Sequence, residues 1–379
     1  MTNKQIFNAL LDDENIDQIL WAARLDIWYM ELKAVNSLPE RYQQKSLNDI
    51  YRSLGIGFPQ KSADKYLLYR TEIDGVECHE KREGPYLHKY IETPVGIVFE
   101  TYFIDDWRCE RGLPFGETHV GYLFKSLKDY PAIEYIIANT KYLPSYEQYF
   151  SYEEEIGDEG LAFFYTTNDP FSTLMRDYFG IERFVYELMD SPKHVDNLFH
   201  SLTDVMENGL QPIMFECPSR VAHHGAHYDG AITSPPLFKK YILPYLRRFS
   251  DKLHGMKKFL ALHTDADSEL LLELMERAGM DMAECFCTNP MVAASLESAL
   301  NCWQNRVLVW GGIPSVILCP KSYSYEDFCL YIRGTIDLIR SRNCRVILGV
   351  SDNVMPETDI TRLEKITEMV EKANRGSQE

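Results

Sequence analysis

The chain has 379 residues, 45% of them hydrophobic, and a formal net charge of -18 at pH 7. That length admits one large α/β barrel with an extension as readily as two domains, while the acidic balance argues against a nucleic-acid partner, which needs clustered Lys and Arg. No stretch approaches the roughly 18 uncharged apolar residues of a membrane span; nine scattered cysteines, an odd number, argue for reduced thiols rather than a disulfide framework. The N-terminus MTNKQIFNALLDDENID carries acid where a secretory leader has its apolar core, so the expected location is the cytoplasm.

In chain order, helical spacing appears first at Lys4 to Leu11 and at Ile16 to Val35. TPVGIVFETYFI and THVGYLFK then read as strands with no crossover helix between them, which predicts an antiparallel hairpin insertion. Helical patterns return at Tyr130 to Ala138 and at about Phe184 to Leu210, and the first barrel strands are expected between about residues 95 and 220.

From about residue 215 short apolar runs alternate with longer helical patterns, as a parallel sheet with crossover helices requires. RVAHHGAHYDG ends the first strand, and Ser234 with Pro235 opens a helix whose Phe238, Ile242, Tyr245, Phe249 and Leu253 share one face. Pro244 should kink that helix. KKFLALH and SELLLELMERAG form the second unit, and MDMAECF with a helix near Val292 to Cys302 the third. RVLVWGG precedes a helix from about Tyr325 to Arg340, and CRVILGVSD precedes DITRLEKITEMVEKAN. Only the tail ANRGSQE looks frayed.

Five successive βα units predict an α/β protein, a (β/α)8 TIM barrel at residues 91–379, with an N-terminal helical extension at 1–90 and the β-hairpin insertion. In such a barrel every strand delivers its last residues to one rim, so polar strand ends far apart in sequence converge. Those ends carry His223, His224, His227 and Asp229; His263, Asp265 and Asp267; Glu284, Cys285 and Cys287; Trp310; and Ser351, Asp352 and Asn353. A rim crowded with imidazole, carboxylate and thiol groups suits a metal ion, and the His263-x-Asp265 pair with Glu284 on the next strand is its best anchor. A structural role competes at each position. Asp267 reads as a helix cap, His227 and Asp229 as a substrate contact or a turn, and Cys285-x-Cys287 is too short for a zinc knuckle. Adjacent strand residues point to opposite faces, so at most one of His223 and His224 faces the interior. Gly311 and Gly312 read as a tight turn before a phosphate contact, and nucleotide-binding loop patterns are absent.

The order YDGAITSPPLFKKYILPYL, H-x-D-x-D, ECF-x-x-NP, WGGIPS, GVSDNVMPET and a final RLEKI helix resembles the uroporphyrinogen decarboxylase superfamily over roughly residues 165 to 375. That superfamily includes the heme-pathway decarboxylase and zinc methyltransferases that work with corrinoid proteins. The decarboxylase's arginine-rich leader has no counterpart here beyond Arg24, Asp26 and Trp28, which disfavours porphyrinogen decarboxylation. The thiol-methylating branch carries H-x-C and a second Cys after the last strand; here Asp265 and Asp352 stand near those places. Harder oxygen ligands suit polarising an ether oxygen.

The resemblance therefore implies transfer of a methyl group from a small O-methyl donor to a corrinoid carried on a partner protein. It implies Zn2+ on His263, Asp265 and Glu284, with His227, Asp229 and Asp352 as catalytic groups and His224, Cys287, Trp310 and Asn353 against the substrate. Two alternatives stay open: a metal-independent decarboxylase of another acid, and a tetrapyrrole- or corrinoid-binding protein without turnover. One sequence also leaves the assembly state, a homodimer among the options, open.

Overall fold

The computed structural model describes residues 1–14, 16–57, 68–225 and 227–375. Strand β1 spans Leu20–Trp21, and β2 to β7 span Tyr69–Ile73, Glu77–Glu83, Tyr86–Thr93, Gly96–Ile104, Glu117–Gly121 and Thr140–Pro144. Strands β8 to β13 span Phe164–Tyr165, Val221–His224, Phe259–His263, Met282–Phe286, Leu308–Pro314 and Val346–Ser351. The chain divides into two compact units: Met1–Tyr66 with Gln148–Tyr165 and Ser219–Glu379, and Leu67–Glu147 with Thr166–Pro218. The dividing points therefore differ from a single cut at residue 90.

In the first unit seven parallel strands run in the order β1-β13-β12-β11-β10-β9-β8. A parallel bridge from Ala22 to Gly57 continues the pairing past β1. Strands β9 to β13 are buried along their length except at Phe259, as expected of a sheet covered by helices on its outer face. The five expected βα units are present. The helix predicted across Ile16 to Val35 is not: only Asp26–Ala34 is helical, and Leu20–Trp21 pairs with Ile347 and Leu348 as the strand next to the last one. The first sheet strand thus lies upstream of the interval 95–220. A two-residue strand is too short for any periodicity to reveal.

The helices depart from their predicted limits where backbone chemistry dictates. Pro244 offers no N–H to the turn before it, and the chain takes a π-type turn over Phe238–Ile242 before resuming as the helix Leu243–Gly255. The pattern across Phe184 to Leu210 is broken at Ser191, where Pro192 starts a new helix.

The second unit holds more than a hairpin. Strands β3-β4-β5-β6 form an antiparallel meander, and β2 pairs with β7. Strand β3, ECHEKRE, is exposed at every position, so it has no buried face to write an alternation into the sequence. Residues 376–379, the end of the tail read as frayed, lie outside the described residues. No helix among the described residues is long and apolar enough to cross a membrane.

Candidate metal centre

Side chains two apart on a strand share a face. Val221, Ala261 and Met282 belong to one apolar cluster with Ile6, Phe7, Leu10 and Phe163. Two residues further along the same strands stand His223, His263 and Glu284, so the face that closes the floor also carries these three into the interior. His263 and Glu284 are direct partners in the β10–β11 ladder. Glu284 Oε2 lies 2.6 Å from His263 Nδ1 and 3.0 Å from His223 Nε2, with relative exposures of 4%, 1% and 1% for His263, His223 and Glu284. Three buried ligand-type groups converging on one point could hold a metal ion.

The other nitrogen of His263 faces outward: Nε2 is 3.2 Å from Asp265 Oδ2, and Asp265 Oδ1 is 2.5 Å from Nδ1 of the half-exposed His227. Burial opposes ionisation of Asp265, but hydrogen bonds and charge from His227 and His263 outweigh it and hold its carboxyl well below the usual carboxylate range.

A third grouping joins His263 to Cys285 and Asp352. Strict alternation would turn Cys285 away from Glu284, yet Cys285 Sγ lies 3.0 Å from Glu284 Oε1 and 2.9 Å from Asp352 Oδ1. A register shift between Ala283 and Phe286 explains it: Cys285 takes a left-handed φ of 58°, so consecutive side chains both reach the site. Such a conformation costs about 1–2 kcal/mol for a residue with a Cβ. Opposite the bulge Gly311, at φ 150°, brings its backbone so close that a Cβ would stand 2.5 Å from Phe286 O. Gly311 and Gly312 are part of β12, which replaces the tight turn read from them with extended strand.

Arg24, two residues past β1's bridging neighbour Ala22, closes this side. Its Nη2 makes an ion pair with Asp352 Oδ1, and its Nε donates to Asp352 O at 3.1 Å. Burial works against the guanidinium charge, but Cys285, Asp352 and Glu284 together outweigh it and raise its pKa further above the ordinary arginine value. Arg24 and Asp352 are 328 positions apart in sequence, and only the β1–β13 pairing brings them together.

The expected set His263, Asp265 and Glu284 is divided: the two carboxylates sit on opposite nitrogens of one imidazole, and His223 completes the Glu284 side. His224 points the other way, its ring 6.0 Å from Tyr245 and 5.8 Å from Phe249 on the covering helix, so it does not line the interior. Trp310 is part of the floor, ringed by Phe7 and Phe163, with Nε1 donating to Ala22 O at 3.0 Å. Asp229 caps a turn, accepting from Ala231 N at 2.8 Å and Ile232 N at 3.3 Å. Asp267 caps as expected, accepting from Glu269 N and Ala293 N. Cys287 is buried at the rim, and burial, reinforced by Asp265, pushes its thiol up to about 11. Asn353 donates to Asp352 Oδ2 at 3.0 Å. His223, Cys285 and Arg24 were absent from the assigned roles. No sequence signal separated the first from His224, because VAHH writes no alternation; the glycine pair opposite was a signal for the second.

The fold and the site define an α/β protein with a parallel sheet of TIM-barrel type, inserted antiparallel sheets and a buried His/His/Glu cluster able to hold a metal ion. The uroporphyrinogen decarboxylase (URO-D) family model matches residues 170–373, more than half of the chain, and the protein belongs to that family. A methyltransferase from Methanosarcina mazei has a similar structure, with a TM-score of 0.57 and 12% sequence identity over 98% of this chain and 99% of that one. At that identity the likeness is one of fold. The Bacillus megaterium QM B1551 spore cortex-lytic enzyme SleL aligns over 60% of this chain and 62% of its own at 10% identity and a TM-score of 0.24, and carries no argument. No curated protein matches the chain in sequence.

Proposed function

We propose that the protein is a cytoplasmic zinc-dependent methyltransferase that moves a methyl group from a small O-methyl donor to a corrinoid carried on a partner protein. The observation that carries this reading is the buried convergence of His223, His263 and Glu284 on one point. Two imidazoles and one carboxylate are the ligand set of catalytic zinc sites that keep a position open for substrate. When bound there, zinc supplies Lewis acidity toward the donor oxygen.

The chain's own residues supply the rest. Asp265 holds the His263 ring from its outer nitrogen and presents the half-exposed His227 at the rim, where a proton can reach a departing alkoxide. Asp352, fixed by Arg24 and Asn353, stands beside them as an ionised carboxylate. Cys287, with its thiol pushed up to about 11, is a neutral wall rather than a nucleophile.

The test is metal content of protein purified without chelator, in wild type, His263→Ala and His223→Ala, followed by incubation with methyl ethers and Co(I) cobalamin. One zinc per chain, lost in both variants, with methyl–cobalt formation in wild type only, is the expected outcome. Metal-free wild type that releases carbon dioxide from a carboxylic acid would replace this reading with a metal-independent decarboxylase. Tight tetrapyrrole binding without turnover would replace it with a binding protein.

A further inference from the structure

The last torsion of a histidine side chain has only broad preferences, so the backbone of β9 does not by itself set the plane of the His223 ring, and packing must do so. That ring is met edge-on by Phe163 at 6.3 Å and 73°, by His263 at 5.7 Å and 73°, and by Tyr165 at 5.1 Å and 79°. Phe163 closes the floor and His263 is the fellow ligand. Tyr165, the nearest of these rings, belongs to neither group.

Register puts Tyr165 there. It ends β8, pairs with His223 in the parallel ladder, and shares a strand face with Phe163, two residues before it. Phe163 reaches the floor beside Phe7 and Trp310, so Tyr165 enters the interior one level higher, as His223 does above Val221 on the next strand. The far end of its ring rests against Gly225, which is buried two residues past His223. A Cβ at Gly225 would overlap the phenol oxygen and stand 2.7 Å from Cζ and 3.2 Å from Cε2. The ring therefore reaches from β8 to the backbone that follows His223, and only a glycine there leaves room for it.

Resting on the metal reading above, we infer that Tyr165, seated on the bare backbone of Gly225, is the positioning residue of His223. Its ring fixes the imidazole plane that sets Nε2 3.0 Å from Glu284 Oε2. Asp265 does the corresponding work for His263 from that ring's outer nitrogen. The two imidazoles are thus held by different means, one by a carboxylate and one by an aromatic ring. A ring contact is the weaker of the two, so its loss loosens the ion and distorts its surroundings without emptying the site.

The experiment is titration of metal-stripped protein with Co2+, read by affinity and by the visible ligand-field bands, which report the geometry around the ion. Wild type and Tyr165→Phe, which keeps the ring, should give the same affinity and the same bands. Tyr165→Ala should bind about 10-fold more weakly, with shifted bands; Tyr165→Leu takes its place where the smaller side chain prevents folding. Gly225→Ala, whose Cβ pushes the ring away, should move both readouts in the same direction, and adding it to Tyr165→Ala should change nothing further. Wild-type affinity and bands in Tyr165→Ala or Tyr165→Leu, with only the urea midpoint lowered, overturn the inference while leaving the metal reading intact, because the ring then merely packs. Effects of Gly225→Ala and Tyr165→Ala that add in full overturn the seat on Gly225 and the inference with it. Wild type that binds no Co2+ overturns the metal reading itself, on which all of this rests.

Discussion

At the floor of the parallel sheet Val221, Ala261 and Met282 pack with Phe7, Leu10, Phe163 and Trp310; two residues further along the same three strands, on the same face, stand His223, His263 and Glu284. The floor is closed by edge-to-face aromatic contacts, Phe7 lying 5.6 Å from Phe163 and 5.4 Å from Trp310. The upper level holds the polar groups that burial would penalise singly and that become tolerable because each has a partner. A strand can therefore carry stability at one level and chemistry at the next, and substitutions at the two levels should fail in different ways.

The sharpest contrast is between adjacent residues. His223→Phe should weaken zinc binding by more than ~100-fold, since a direct ligand matters more than the second-layer partners whose loss costs about 10- to 100-fold. His224→Phe, whose ring lies among Tyr245 and Phe249, should keep its metal. Equilibrium dialysis against a zinc chelator reads both, and loss of metal in His224→Phe would reverse the assignment of faces. Next in size is Phe7→Ala, which removes the ring that plugs the floor. It should cost about 3–4 kcal/mol in urea denaturation while the folded fraction keeps its full zinc. A floor substitution that emptied the metal site would show that the two levels are not separable.

A smaller effect extends the comparison to the second unit. Hydrogen bonds and charge from His227 and His263 hold the carboxyl of half-buried Asp265 down, whereas desolvation by packed neighbours, with the added repulsion of Glu100, raises that of Asp177 to about 6 although its side chain reaches solvent. A carboxyl whose folded pKa exceeds its unfolded value penalises folding as pH rises: no penalty below about 4, growing as pH passes through about 6, and complete above it. Asp177→Asn should therefore stabilise the protein slightly at pH 8, by less than about 1 kcal/mol because the exposed carboxylate is screened by solvent, and by nothing at pH 4, followed as the urea midpoint against pH. A gain that is the same at both pH values would assign the effect to packing rather than charge.

Much of this was legible in one sequence. The five βα units from Val221 to Arg375 announce themselves because each alternates a short apolar run with a helical period, and that local rhythm is enough to place polar strand ends on a common rim. His263, Glu284, Asp265 and Asp352 were named as strand-end residues on that ground, and His263 meets each of the other three in a separate group. The register within each strand was not legible, because VAHH is apolar or aromatic throughout and writes no alternation. His223 and His224 could not be told apart until β9 was seen against β10.

Sequence by itself thus determined the kind of fold, the rim that carries the polar groups and most of the residue types available there, since these follow from local period and composition. Tertiary structure alone decided which groups meet. It set a two-residue strand, Leu20–Trp21, beside the last one and so brought Arg24 to Asp352; it turned Cys285 inward at a bulge facing Gly311; and it divided Asp265 from Glu284 across the two nitrogens of His263. The physical reason is that pairing, bulges and ring orientation are properties of two or more segments packed together, and none of the segments carries them alone.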